Sequence, residues 1–149
     1  MSDLRVGDRA PDFSAESTHG EISLNDYTGR NVVLYFYVRD QTPGCTMQSC
    51  SSRDGIDKIK AYDTEVLGVS TDDLDSHNKF MSRYNLNFPL IADPDFKISK
   101  AYDVFNEERK ASRRVTFVID GNGIIRHIFP KVDVSAHADE VIEVLKSMK

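Results

Sequence analysis

Val32-Val33-Leu34-Tyr35-Phe36-Tyr37, followed after Val38-Arg39-Asp40-Gln41 by Thr42-Pro43-Gly44-Cys45-Thr46-Met47-Gln48-Ser49-Cys50, is the stretch on which the fold turns. Its first six residues are apolar without alternation, the pattern of a central strand covered by helices on each face. Thr42 is a favoured N-cap type, Pro43 suits the first helical position, and Gly44 allows close approach of backbone or ligand. A buried strand therefore hands over to a helix at Pro43, and both cysteines of the chain lie in that helix.

Downstream, the helical pattern runs from about Pro43 to Tyr62, with Met47, Cys50, Ile56, Ile59 and Tyr62 facing inward. Residues 64–69 read as the next strand, and the cluster Ser70-Thr71-Asp72-Asp73 caps a helix over 74–84, so the two strands should pair in parallel. Phe88 to Ile91 is a short extended piece, and Ala92-Asp93-Pro94 opens a helix to about Tyr102. Residues 103–112 are polar and irregular, a surface loop on this reading. Val115–Ile119 and Ile124–Phe129 flank the hairpin signal Asp120-Gly121-Asn122-Gly123. A last helix begins at Ser135 or His137 and turns Val141, Ile142 and Leu145 inward. Upstream, residues 4–13 form an extended lead-in, Glu21–Leu24 a short strand, and Asn25–Gly29 a capped turn. The expected fold is α/β, with a central mixed sheet flanked by helices on both faces.

Length and charge narrow the function. With 149 residues, residues 1–149 make one domain able to bury roughly 70% of its unfolded surface. A net charge of -5 with scattered Lys and Arg gives no reason to expect nucleic acid or an anionic membrane as partner. No stretch has the length and apolarity of a membrane span, and Met1-Ser2-Asp3-Leu4-Arg5 has no apolar run like that of a signal peptide. Two cysteines five apart, with no wider framework, suit a catalytic pair in a reducing, cytoplasmic setting better than a secreted scaffold.

Cys45 falls in the first helical turn, where N–H groups lack intrahelical partners and the macrodipole is positive. Both features favour a thiolate, the nucleophilic form, and the same N–H groups would stabilise an oxyanion beside the sulfur. On an ideal helix Cys45 and Cys50 are about 140° and roughly 7.5 Å of rise apart, which separates their Cα atoms by about 8–9 Å. A disulfide rarely spans more than about 7 Å between Cα atoms. A permanent bridge is thus disfavoured, and a transient one requires the helix start to unwind. The competing reading makes both cysteines ordinary small apolar residues of a helix.

Tyr35-Phe36-Tyr37, then Thr42-Pro43-Gly44-Cys45-Thr46, Cys50 and Arg53-Asp54 together resemble the peroxiredoxins, in the subgroup called bacterioferritin comigratory protein or peroxiredoxin Q. Val6-Gly7-Asp8-Arg9-Ala10-Pro11-Asp12-Phe13 and Arg114-Val115-Thr116-Phe117-Val118-Ile119-Asp120 extend the likeness over nearly the whole chain. The resemblance implies a thioredoxin-like fold and a thiol peroxidase without cofactor or metal. It assigns Cys45 as the peroxidatic cysteine, Cys50 as the resolving cysteine, and the pair as the redox-active disulfide. Thr42, Gly44, Cys45 and Arg114 would bind the peroxide, with Thr42 also capping the helix. The family's arginine stands three residues before the strand Phe, which selects Arg114 over Arg113, and strand alternation sends those two side chains to opposite faces. Arg113 is left as a surface salt-bridge residue. A thioredoxin-like or other dithiol protein would be the reductant, and the expected state is a monomer. Gln48 stands where many relatives carry Glu. Val38 stands where they usually have Pro, which removes a fixed φ and restores an N–H donor.

Three other readings use the same residues. A metal site from Cys45, Cys50 and some of His19, His77, His127 and His137 lacks the usual zinc-pair spacing. A dithiol–disulfide oxidoreductase normally has two residues between its cysteines, whereas four intervene here. A thiol-redox sensor would pass its disulfide to a partner.

Overall fold

The computed structural model describes residues 4–40, 43–130 and 137–148, and at residues 43–45, 48 and 137 the backbone alone. After the lead-in, β1 (Ser14–Ser17) and β2 (Gly20–Ser23) form a hairpin about Thr18-His19, with the Ser17 hydroxyl donating to the Gly20 carbonyl. A 3-10 turn over Leu24–Tyr27 follows, and Asp26 accepts the Ser23 N–H at 2.9 Å.

The apolar run is strand β3 (Asn31–Phe36), buried from its second residue onward. It pairs in parallel with β4 (Thr64–Ser70) and antiparallel with β8 (Thr116–Ile119). With β5 (Leu90–Ala92) and β9 (Ile125–Phe129) the sheet runs β2-β1-β5-β4-β3-β8-β9, so β3 has neighbours on both sides. The mixed sheet expected from the sequence is present.

Alternation along β3 builds two cores. Val33, Tyr35 and Tyr37 pack on one face under α1 (Pro43–Asp54), α2 (Ile56–Lys60), α3 (Leu74–Tyr84) and α5 (His137–Ser147). Leu34 and Phe36 pack on the other with Phe117, Ile98 and Tyr102 beneath α4 (Lys97–Ala101). Helices therefore cover both faces, four against one. Val141, Ile142 and Leu145 are buried, as the sequence pattern requires.

Three expectations are corrected. The helix read as 43–62 breaks at Gly55, whose backbone leaves the helical region, and α5 crosses there so closely that a Cβ would lie 2.6 Å from the Ala138 Cβ. Its inward stripe is Ser49, Ser52, Ile56 and Ile59, all buried, while Met47 is 50% exposed and Cys50 half-buried. Tyr62 is half-buried against the same core. Small hydroxyls hold positions where apolar residues were sought, which shifts the apparent helical phase. The loop at 103–112 contains a hairpin, β6 (Phe105–Asn106) with β7 (Ala111–Ser112), closed around Glu107–Lys110. Finally, α4 starts at Lys97, after Phe96 has turned to φ 64°, and the Asp93 carboxylate accepts the Ile98 and Ser99 N–H groups.

Candidate active site

Strand β3 ends at Phe36, and two residues separate Asp40 from the start of α1 at Pro43. Gly44 and Cys45 occupy the first turn of α1, where intrahelical acceptors are lacking and the helix dipole is positive. Thr42 lies outside the described residues, as do the side chains of Cys45 and Gln48. Cys45 and Cys50 share one continuous helix, so the separation of about 8–9 Å between their Cα atoms applies.

Cys50 is free and half-buried on the wall of a groove of about 400 Å³, together with Met47, Ser51, Asp54 and Lys58. Behind it, α1 is tied to its surroundings by hydrogen bonds. Ser51 Oγ accepts the Ala138 N–H at 3.3 Å, and Tyr35 Oη and Ser49 Oγ are hydrogen bonded at 2.9 Å within the core. At the far end, Arg53 donates to the last carbonyl of α3, that of Tyr84, at 2.6 Å, and pairs with Asp54 at 2.9 Å.

Arg114 enters beside the end of β3. Tyr35 pairs with Thr116, and the Phe36 N–H donates to the Val115 carbonyl at 2.8 Å, so Arg114 directly precedes the last residue bonded to this end of β3. The Val115 N–H reaches back to the Arg113 carbonyl at 3.1 Å, a three-residue turn centred on Arg114. Arg114 is half-buried, whereas Arg113 is exposed and donates to the Asp103 carbonyl at 2.6 Å. A cavity of about 500 Å³ opens near both arginines, but Tyr102, Val104 and Phe117 in its wall belong to the α4 face of the sheet. It is thus across the sheet from α1.

The loop after β3 also carries a buried polar cluster that the sequence reading missed. Asp40 Oδ1 accepts from the Tyr37 hydroxyl at 2.6 Å, and Asp40 Oδ2 accepts from Ser76 Oγ at 2.8 Å and lies 2.7 Å from His77 Nδ1. The Asp40 N–H donates to Asp72 Oδ2 at 2.8 Å, which also accepts from Ser70 Oγ at 2.6 Å. His77 Nε2 faces the Ile91 carbonyl at 2.9 Å and must donate to it. Burial and the Asp40 carboxylate push the Tyr37 hydroxyl well above the usual tyrosine range, keeping it a donor. No local signal reveals this cluster, because Asp40 and His77 are 37 residues apart.

Among the described residues, Asp40, Asp72 and His77 form the one group able to converge on a metal ion, and it contains no cysteine. Its oxygens already accept from O–H and N–H donors. His127 packs edge-on against Phe129, and neither His127 nor His19 lines the groove at Cys50. Val38 packs against the α1 side of the core, keeping the apolar wall expected there.

Residues 6–128 match the AhpC/TSA family. The chain is 38% identical to peroxiredoxin Bcp of Bacillus subtilis, covering 97% of each sequence. Its fold superposes on the crystal structure of peroxiredoxin Q from Xylella fastidiosa with a TM-score of 0.92 at 30% identity, over 99% of both chains. For the bacterioferritin comigratory protein of Xanthomonas campestris, described for its alkyl peroxide reduction, the TM-score is 0.87 at 28% identity over 99% of each chain. With a mixed sheet of thioredoxin-like type and a cysteine in the first helical turn after its central strand, the chain belongs to the AhpC/TSA family as a peroxiredoxin, a thiol peroxidase.

Proposed function

We propose that the chain reduces hydrogen peroxide and organic hydroperoxides by an intramolecular two-cysteine cycle. The Cys45 thiolate attacks the terminal peroxide oxygen, so that an S–O bond forms, the O–O bond breaks, and water or an alcohol leaves with a proton. The Gly44 and Cys45 N–H groups, the Thr42 hydroxyl and the Arg114 guanidinium hold the peroxide and the departing oxygen. Cys50 then attacks the sulfenic sulfur, an S–S bond forms and water leaves. A dithiol protein of thioredoxin type supplies two electrons and two protons to restore both thiols.

The observation that carries this reading is the position of both cysteines in one continuous helix, Pro43–Asp54, that starts just beyond the end of a central strand. The alkyl peroxide reduction of the Xanthomonas relative supports the inclusion of organic substrates. Because both sulfurs belong to one chain, the cycle needs no second subunit, and we assign it to a monomer of one domain, residues 1–149. The spacing of the two cysteines fits a reducing cytoplasm. Among the described residues no helix is long and apolar enough to cross a membrane.

Peroxide consumption by reduced protein, with mass spectrometry of the product, tests the roles. Wild type should consume peroxide and lose two hydrogens, Cys45→Ser should be inactive, and Cys50→Ser should react once and stop as a sulfenic or higher acid. Turnover by Cys45→Ser at the wild-type rate would overturn the mechanism.

A further inference from the structure

We infer that Asp40, held by Tyr37, Ser76, His77 and Asp72, is a positioning residue that fixes the upstream end of the peroxide pocket. The inference rests on the function proposed above, since the pocket it serves is that of Cys45. Asp40 stands two residues before Thr42 and five before Cys45. Its side chain is 2% exposed, and its carboxylate binds three side chains while its own N–H binds a fourth. Two of these partners, Tyr37 and His77, are themselves fully buried.

The partners come from three elements. Tyr37 directly follows β3, Asp72 follows β4, and Ser76 and His77 lie in the first turn of α3. The loops leaving two adjacent parallel strands are therefore tied together at their carboxyl ends, where sites form in open α/β sheets. The imidazole is fixed in turn. Its Nε2 donates to the Ile91 carbonyl in β5, which holds the ring with Nδ1 facing Asp40 Oδ2. From above, the β6–β7 hairpin leans on the same loops, through Arg39 Nη2 to the Arg109 carbonyl at 3.0 Å and Thr71 Oγ1 to the Lys110 carbonyl at 3.4 Å.

The far end of α1 is clamped by Ser51 and Arg53. Between those two anchors lie Gln41 to Cys50, the segment that must bind peroxide and then rearrange for the Cys45–Cys50 bond. A loose upstream anchor would misplace Thr42 relative to the sulfur, while the first-turn N–H groups that favour the thiolate stay with α1. Asp40 thereby acts on the peroxide step through geometry.

Asp40→Ala and His77→Ala each leave a buried polar partner alone and are expected to lower fold stability. The decisive variants are Tyr37→Phe, which removes the bond to Asp40 Oδ1 and the longer contact of the same hydroxyl with His77 Nδ1 at 3.3 Å, and Ser76→Ala, which removes one bond to Asp40; both keep the Asp40–His77 pair. In the Cys50→Ser background, single-turnover reaction with hydrogen peroxide should slow by about tenfold in each variant. Alkylation of Cys45 by iodoacetamide, which needs the thiolate and no peroxide pocket, should be unchanged. Peroxide and alkylation rates that fall together, or peroxide rates equal to the parent in both folded variants, would overturn the inference. Failure of the parent protein to react with peroxide would instead overturn the proposed function, so the two failures are distinguishable.

Discussion

At the residue scale, Gly68 shows how tightly the core is fitted beneath the site. A Cβ there would lie 2.9 Å from both Cζ and Oη of Tyr35 and 3.0 Å from Leu90 Cδ2. Tyr35 and Leu90 are fully buried, so neither can yield outward, and the Tyr35 hydroxyl is also committed to Ser49. We expect Gly68→Ala to cost about 1–3 kcal/mol, read as a lower denaturant midpoint at unchanged m-value. An unchanged midpoint would mean that the Tyr35 ring has room to move. The two cysteines, Thr42 and Arg114 could be proposed from the sequence because each sits in a local motif with a chemical reason. Asp40, Tyr37 and His77 could not, since an aspartate in a loop and a histidine in a helix declare nothing until the fold brings them within 2.7 Å.

At the scale of the element, α1 differs from its neighbours. Its buried face offers Ser49 and Ser52, whereas α2 buries Ile56 and Ile59, and α5 buries Val141, Ile142 and Leu145. Hydroxyls bury less apolar area than branched side chains, so each residue of α1 is held less strongly against the sheet. The same substitution hid the helical phase from a reading based on apolar periodicity, which placed Met47 and Cys50 inward. The boundaries of α3, with Asp73 as cap and Asn85 in the left-handed C-terminal position, were legible because capping chemistry is local. The hairpin at 105–112 was not, because two-residue strands carry no periodic signal. Amide hydrogen exchange of the oxidised protein should show loss of protection in the first turns of α1, with α2 and α5 keeping theirs. Full protection of α1 in the disulfide form would contradict an unwinding step.

Across the whole molecule, buried phenols tie stability to pH. Burial, followed by the Asp40 carboxylate, raises Tyr37 well above the ordinary tyrosine value. Tyr102 is raised by burial and then by Asp12, and Tyr27 by burial and then by Glu65 and Asp26. Each group binds its proton more tightly in the folded chain than in the unfolded one. The stability this contributes is complete below the unfolded value of about 10 and is lost as pH rises through and beyond it. Tyr27 is half-exposed and contributes least. We therefore expect denaturant midpoints to fall steeply above about pH 10, and Tyr102→Phe to flatten that fall. A slope unchanged in the variant would exclude Tyr102 as a source. The polar inner face of α1 sets a further limit on how far this enzyme can be hardened for use. A search for thermostabilising substitutions would soon reach Ser49 and Ser52, buried positions where an apolar side chain would add contact with the core. On the proposed two-cysteine cycle, success there would glue down the helix that has to open in each turnover, yielding a durable protein that stalls after its first encounter with oxidant.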